Sequence, residues 1–457
     1  MTFLGCHDEI QSEILQWVFE DSHLWESLEY LRYLEGMRLI NRQLNKVVLE
    51  CGQLWSTVHL DWPESVLLAH HARSKDCELA VFFNTNVEGS AATRPTLARC
   101  AKFLADNMGR TYYLDATIAN GTCIGALANA IATTPAPRLE TLKLYLGDRV
   151  NNVHRMFADN APRLRDAAIH RGPFKHLHHI STLTKLEILV TQAVGKKLVT
   201  VLQDMPQLEE VLLVGDQSIG EATGELSIQL PNCKKFTLKN MPTNYARHIL
   251  LHVGLRTDTH VHVGLLLSPN DVSSGVFQFL PSYLPPPIKA AKSLMLQIRP
   301  ETVIIQADSF PPVAFSIDYT ALHEALLERD EGALETFAGI LSFLALSPSM
   351  NPEKLVIYNA PPSETETTFS SIAVTGIPAV WDQLYTACDL VEQVQFFGDL
   401  AAPVASLRQL VTQGVSVLPK VWKVDIGRGG RSQSTVDDIN YIAHARRFAI
   451  CAPTQAV

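Results

Sequence analysis

The sequence predicts an α/β chain: a small helical module first, then an irregular solenoid whose short strands form a horseshoe-like parallel sheet with helices outside it. Three observations predict it. Apolar residues recur at three- and four-residue spacing through residues 8–58. Beyond residue 136 an apolar-x-x-apolar-x-apolar core returns at near-constant steps. Finally, 47% apolar and 19% charged residues in a chain of 457 suit a large folded core rather than disorder.

In the first segment Ile10, Ile14, Leu15, Val18 and Phe19 share one helical face, while Glu9, Glu13, Gln16 and Glu20 take the other. A second helix is expected over Leu24–Tyr33. A third is expected over Met37–Leu49, with Leu39, Ile40, Leu44, Val47 and Val48 as its stripe and Gly36 and Gly52 punctuating its ends. Nine carboxylates face four basic side chains here, so more than half of the chain's net charge of −9 belongs to residues 1–58.

Residues 59–135 read as linking units. Strands are expected at Thr57–Leu60, Leu79–Phe83 and Arg110–Leu114, separated by helices near Ser65–Ser74 and Pro95–Asn107. From 136 to 457 the repeat takes over. Its first apolar positions are Leu139, Leu164, Leu183, Leu208 and Cys233, giving steps of 25, 19, 25 and 25 residues. The fourth and sixth positions are Leu142 and Leu144, Ala167 and Ile169, Leu186 and Ile188, Val211 and Leu213, Phe236 and Leu238. Each unit offers one short strand, and the residues between, such as Arg149–Asn160 and Lys196–Asp204, suit a helix or helical turn. Such a unit cannot bury its apolar face alone, so neighbours must stack.

After residue 240 the pattern loosens. Thr259–Leu267, Lys292–Ile298, Val303–Gln306 and Val313–Asp318 are expected strands, and Leu322–Leu346 an amphipathic helix. The repeat resumes at Leu355–Tyr358, Val391–Phe396 and Val421–Ile426, with Asn359–Ser371 an exposed loop. A closing helix starts near Ser434, with Asp437 at its start and Arg446-Arg447 near its end complementing its dipole.

Several function classes are disfavoured. Charged residues interrupt the chain's start before a signal-peptide core can form, and no run of 18 apolar residues exists, so a soluble chain without a membrane partner is expected. The negative net charge offers no global field for nucleic acid. Eight scattered cysteines without a Cys-x-x-Cys pair point to reduced thiols in the cytoplasm or nucleus. His176, His178 and His179, His248 and His252, and His260 and His262 cluster without a closed ligand set, so no metal is expected. No Gly-x-Ser-x-Gly elbow fixes a nucleophile, and Gly427–Ser432 matches neither the dinucleotide fingerprint nor the P-loop. No catalytic residue and no cofactor are therefore expected.

The segment Ile10-Gln11-Ser12-Glu13-Ile14-Leu15-Gln16-Trp17-Val18-Phe19, followed by Leu39–Leu44 and Leu54-Trp55, resembles an F-box, with Gln11, Asn41 and Leu44 replacing the pattern's Pro, Cys and Trp. Together with Leu54–Asp61 and Arg73–Leu79 it is similar to the F-box and leucine-rich-repeat families abundant in mushroom-forming fungi. The resemblance implies a substrate receptor that docks on a Skp-type adaptor of a cullin-RING ubiquitin ligase and holds a target protein on its repeats. Docking would fall to Ile10, Glu13, Ile14, Leu15, Val18, Phe19, Leu39, Ile40, Leu44, Leu54 and Trp55.

In leucine-rich units the residues alternating with the apolar positions line the concave face. Here these are Lys143, Tyr145, Asp166, His170, Lys185, Glu187, Lys235 and Lys239, then Tyr358, Gln393, Gln395, Phe397, Lys423 and Asp425. The asparagine usual in such repeats is replaced by Gly147, Gly172, Thr191, Asp216 and Met241, so the turns must be satisfied in another way. Three alternatives stay open: helices that only cap the array, a repeat scaffold without a ligase, and an enzyme with a site on the concave face.

Overall fold

In the computed structural model the described residues are 7–19, 27–84, 97–118, 124–146, 156–170, 177, 179–191, 198, 201–216, 219, 228–256, 259–266, 286–299, 302–308, 313–318, 352–359, 381–382, 384–385, 391–398, 401–415, 418, 420–421, 423–426, 433–446 and 449–451. Expectations for Leu322–Leu346, for Gly427–Ser432 and for the loop beyond Asn359 lie outside them. Close contacts divide the chain into two compact units, Met1–Glu210 and Val211–Val457. The division falls inside the expected array, whereas the helical module and the linking units share the first unit.

The first unit opens with α1 (Asp8–Phe19), α2 (Ser27–Ile40) and α3 (Arg42–Glu50). The second helix does not stop at Tyr33 as expected but runs through Gly36 to Ile40. Tyr30 and Leu34, one turn apart and each 1% exposed, anchor it to the core, and that burial outweighs the cost of one helical glycine, about 1 kcal/mol. The break comes instead at Asn41, whose extended backbone (φ −161°) leaves its side-chain oxygen to accept the Leu44 N–H at 2.8 Å.

A six-stranded, wholly parallel sheet follows among the described residues of this unit. Its strands are β1 (Thr57–His59), β2 (Leu79–Asn84), β3 (Thr111–Ile118), β4 (Thr141–Leu146), β5 (Asp166–His170) and β6 (Lys185–Val190), adjacent in chain order. Helices α4 (Glu64–Arg73), α5 (Leu97–Asn107) and α6 (Ile124–Thr133) fill the early crossovers. Of the helix or helical turn expected over Arg149–Asn160, the described part is a single tight turn, Phe157–Asp159, whose three positive φ angles give a hand that no right-handed helix can continue.

All fifteen first, fourth and sixth template positions, from Leu139 to Leu238, are 2% exposed or less. The turn feeding each strand is also repeated. The N–H of Leu139, Leu164, Leu183, Leu208 and Cys233 donates at 3.2 Å to the carbonyl three residues earlier, on Ala136, Ala161, Ile180, Met205 and Leu230. Each of those carbonyl residues is itself buried. The repeat therefore carries one more apolar position than the sequence pattern shows, and this main-chain bond satisfies the turn that enters each strand.

The second unit begins with β7 (Glu210–Gly215), whose first residue closes the first unit, then β8 (Ile228–Leu230), β9 (Lys235–Pro242), helix α7 (Thr243–His252), β10 (Val253–Leu255) and β11 (His260–Leu266). After a helical turn at Pro286–Lys289 come β12 (Ser293–Ile298), β13 (Thr302–Ala307), β14 (Val313–Asp318), β15 (Lys354–Asn359), β16 (Gln393–Gly398), helix α8 (Ala401–Thr412), β17 (Lys423–Ile426), helix α9 (Gln433–Arg446) and β18 (Ala449–Cys451). The strand order is β7-β9-β11-β14-β13-β12-β15-β16-β17-β18, with β8 and β10 forming a separate parallel pair. The parallel expectation is corrected at β13, which runs antiparallel to both β12 and β14. Its two connections are only a few residues long, and a parallel crossover needs a dozen or more. The entry turn returns here, from Ala291 to Ile288 at 3.2 Å and from Val421 to Leu418 at 3.1 Å.

Candidate functional site

Two surfaces in the first unit carry the residues singled out by sequence. The first lies on α1 and α2. Leu15, Tyr30, Leu34, Leu44, Val47, Val48, Leu54, Trp55 and Trp62 form one core. Within it the Trp55 indole N–H donates to the Val48 carbonyl at 2.7 Å, the Tyr30 hydroxyl donates to the Leu54 carbonyl, and Arg73 lies 4.3 Å over the Trp55 ring. Of the eleven expected docking residues, Leu15, Leu44, Leu54 and Trp55 are thus corrected to core positions: they hold the helices together and cannot meet a partner directly. Gln11, in the place of the pattern's proline, is fully buried as well.

The others divide differently. Leu39 is 84% exposed, and Ile10, Ile14, Val18 and Ile40 are exposed too, as is Glu13. The side chain of Phe19 lies outside the described residues. Sequence reasoning missed Trp17, 72% exposed, and Tyr33; Trp17 could have been found, since it stands seven residues after Ile10 on the same helical face. Ile10, Ile14, Trp17 and Val18 give α1 an uncovered apolar strip while Leu15 anchors its other side. Asp8 ties the start of α1 to α3, 3.3 Å from both Lys46 Nζ and Gln43 Nε2. Those two bonds, the Gln43 one foremost, hold its carboxyl below the usual carboxylate range.

The second surface is the strand face opposite the buried alternation. On β4, β5 and β6 the residues Lys143, Tyr145, Asp166, His170, Lys185 and Glu187 all escape the core, as expected. The register sets Asp115, Lys143, Ala168 and Glu187 side by side, with Tyr113, Thr141, Asp166 and Lys185 as the row before. Contacts run along it. The rings of Phe82 and Tyr113 are 5.3 Å apart, the Lys143 ammonium is 5.5 Å from the Tyr113 ring, and Tyr145 meets His170 edge-on at 4.4 Å. His170 Nε2 lies 2.8 Å from Glu187, and Lys185 pairs with Glu210 at 2.9 Å. Burial raises the carboxyl pKa of Asp115 and of Asp166, against the pull of Lys143 on the first and of Lys185 and Lys143 on the second. Phe82 on β2 and Tyr113 and Asp115 on β3 went unnoticed because neither strand belongs to the five repeat units, although the alternation of β3 is visible in the sequence.

In the second unit the expected residues fall into two groups. Lys235 and Lys239 are exposed on β9. Tyr358, Gln393, Gln395, Phe397, Lys423 and Asp425 stand outside the core on β15, β16 and β17, with Asp425 accepting from Gln395 at 2.9 Å and facing Lys423 at 3.0 Å.

Other groupings offer no chemistry of their own. Among the described residues no three His, Cys, Asp or Glu side chains converge to hold a metal ion, and no helix is long and apolar enough to cross a membrane. His262 Nε2 and Ser316 Oγ are 3.1 Å apart, but Ser316 is buried and also donates to the Val263 carbonyl. No family model matches the chain, and no characterised protein matches its sequence.

Proposed function

We propose that the chain is the substrate-recognition subunit of a Skp-cullin-F-box type ubiquitin ligase, acting in the cytoplasm or nucleus. The α1–α3 module docks on the Skp-type adaptor, and the strands form an irregular leucine-rich-repeat solenoid that holds a target protein. Ubiquitin transfer belongs to partner subunits, and this chain contributes affinity and geometry.

The observation that carries the reading is the uncovered apolar strip of Ile10, Ile14, Trp17 and Val18 on α1 together with Leu39 and Ile40 on α2. A helix cap that only closes a repeat array needs a polar outer face, and this one is apolar. Exposed apolar side chains grouped on a helix in this way mark an interaction site. The experiment is copurification with a Skp-type adaptor. The intact chain is expected to retain the adaptor, whereas Ile14→Asp combined with Leu39→Asp should lower the affinity at least tenfold with the circular dichroism spectrum unchanged. Retention by the double variant, or no binding by the intact chain, would leave a repeat scaffold as the better reading.

A further inference from the structure

The second unit carries a patch of basic side chains on β9 and β11. Lys235 and Lys239 are exposed on one side of β9, with Thr237 half-buried between them, and the register sets His260 beside Lys235 and His262 beside Thr237. Ser316 Oγ, its own proton given to the Val263 carbonyl, accepts from His262 Nε2 and holds that ring in place. Among the described residues neither lysine is paired with a carboxylate. The lysines on the strand face of the first unit are spent by comparison, Lys185 on Glu210 at 2.9 Å and Lys143 over the Tyr113 ring beside Asp115. Burial lowers the pKa of His260 and of His262, and the charges that add to it are all basic: Lys235 for the first, and His260, Lys235 and Lys239 for the second. Acidic positions among the described residues lie around the patch at strand ends, with Glu210 and Asp216 flanking β7, Asp308 just past β13 and Asp318 closing β14. Of these, Glu210 is already held by Lys185. The field over β9 and β11 is therefore positive in a chain whose net charge is −9.

We infer that this patch binds an acidic, extended segment of the target protein, one carboxylate meeting Lys235 and a second meeting Lys239. The inference rests on reading the strand faces as the target-binding surface. Four residues separate the two lysines, about 13 Å at roughly 3.3 Å per residue. An extended segment laid along β9 repeats at the same rise, so acidic side chains four residues apart on one of its sides reach both ammonium groups together. His260 and His262 line the way between them and add hydrogen bonds to a carboxylate. Because both lysines are exposed and without a carboxylate partner, the segment meets them with no ion pair to displace, and charge complementarity of this kind selects partners by sign. Nucleic acid fits less well. A phosphodiester strand calls for a long basic stripe, and here two lysines are bounded by acidic strand ends.

The test uses the full chain and fluorescein-labelled Gly-Ser nonapeptides with Glu, Gln or Lys at both the third and the seventh position, followed by fluorescence anisotropy at low and high salt. At low salt the Glu peptide should bind at least fivefold more tightly than the Gln peptide, the Lys peptide most weakly, and high salt should shrink the difference. Lys235→Gln combined with Lys239→Gln, both at exposed positions, should reduce the Glu preference to below twofold. Lys143→Gln combined with Lys185→Gln, on the strand face of the first unit, should leave it unchanged. Equal binding of the Glu and Gln peptides, no detectable binding of either, or a Glu preference that survives the β9 double variant would overturn the inference. So would tighter binding of a fluorescein-labelled nonauridylate than of the Glu peptide, lost in the same variant, which would assign the patch to nucleic acid. Adaptor copurification with the intact chain reports separately on the docking module, so its failure would count against the receptor reading and not against this patch.

Discussion

His59 and His70 show how single buried residues set the response to pH. His59 is 6% exposed, stacked on Phe82 at 4.8 Å and near Trp62 at 4.9 Å, while His70 packs on Trp62 at 4.5 Å and Trp55 at 4.7 Å. Burial pushes the His59 pKa down to about 4; burial, with Arg73 adding to it, takes His70 down to about 3. In the unfolded chain both rings take up a proton near the ordinary value of about 6.5. The stability they support is therefore complete above that pH and is lost as pH falls from about 6.5 toward the folded values, amounting to about 3 kcal/mol for His59. Urea midpoints measured from pH 8 to pH 4 should fall across this window, and His59→Phe should flatten the decline. Gly215 makes a steric case of the same kind. A Cβ there would lie 2.1 Å from the Asn240 carbonyl oxygen, which belongs to a main chain already held at φ +51°. Gly215→Ala should cost about 1–3 kcal/mol in chemical denaturation, more than Gly264→Ala, where the nearest atom is 3.4 Å away.

Among the elements, the strands of the repeat divide each side chain's role by parity. Leu164→Ala, at a position with 0% exposure, should destabilise by about 2–5 kcal/mol, whereas Lys143→Ala on the other face should stay within about 0.5 kcal/mol. Denaturation curves of the two variants check the contrast. This parity was readable in the sequence, and β4 and β6 follow it throughout, whereas β5 departs from it at Ala168, which is buried on the outward parity; apolar burial on a two-residue period leaves one register only. Other features were not readable. The additional apolar position of the repeat, Ala136 to Leu230, acts through its carbonyl, and a main-chain bond leaves no mark on residue type. Helices α6 and α7 were missed. In α6 nearly all residues are small or apolar, so periodicity offers little contrast. For the expected docking residues, spacing indicated helices yet could not say which apolar side packs inward. Leu15 and Ile14 are sequence neighbours, and only packing against Tyr30 and Leu44 separates them.

The molecule as a whole is acidic, with a sequence pI near 6.0. Net repulsion between copies vanishes near that pH, and the protonation cost of the buried histidines begins just below about 6.5. Turbidity at fixed concentration should therefore peak near pH 5–6 and decline toward pH 8, with His59→Phe narrowing the peak on its acid side. The apolar strip of α1 and the basic patch of β9 and β11 sit on different secondary-structure elements, so the adaptor and target variants described above test separate surfaces. The strand-entry turn has a wider consequence. It closes within four residues, so a unit can shed or acquire chain on its far side without disturbing the strand that follows. The 19-residue step between Leu164 and Leu183, set among steps of 25, enters β6 through the same bond as its longer neighbours. Insertions and deletions are thereby confined to segments that do not set strand register, and the strand face can be diversified by length as well as by substitution.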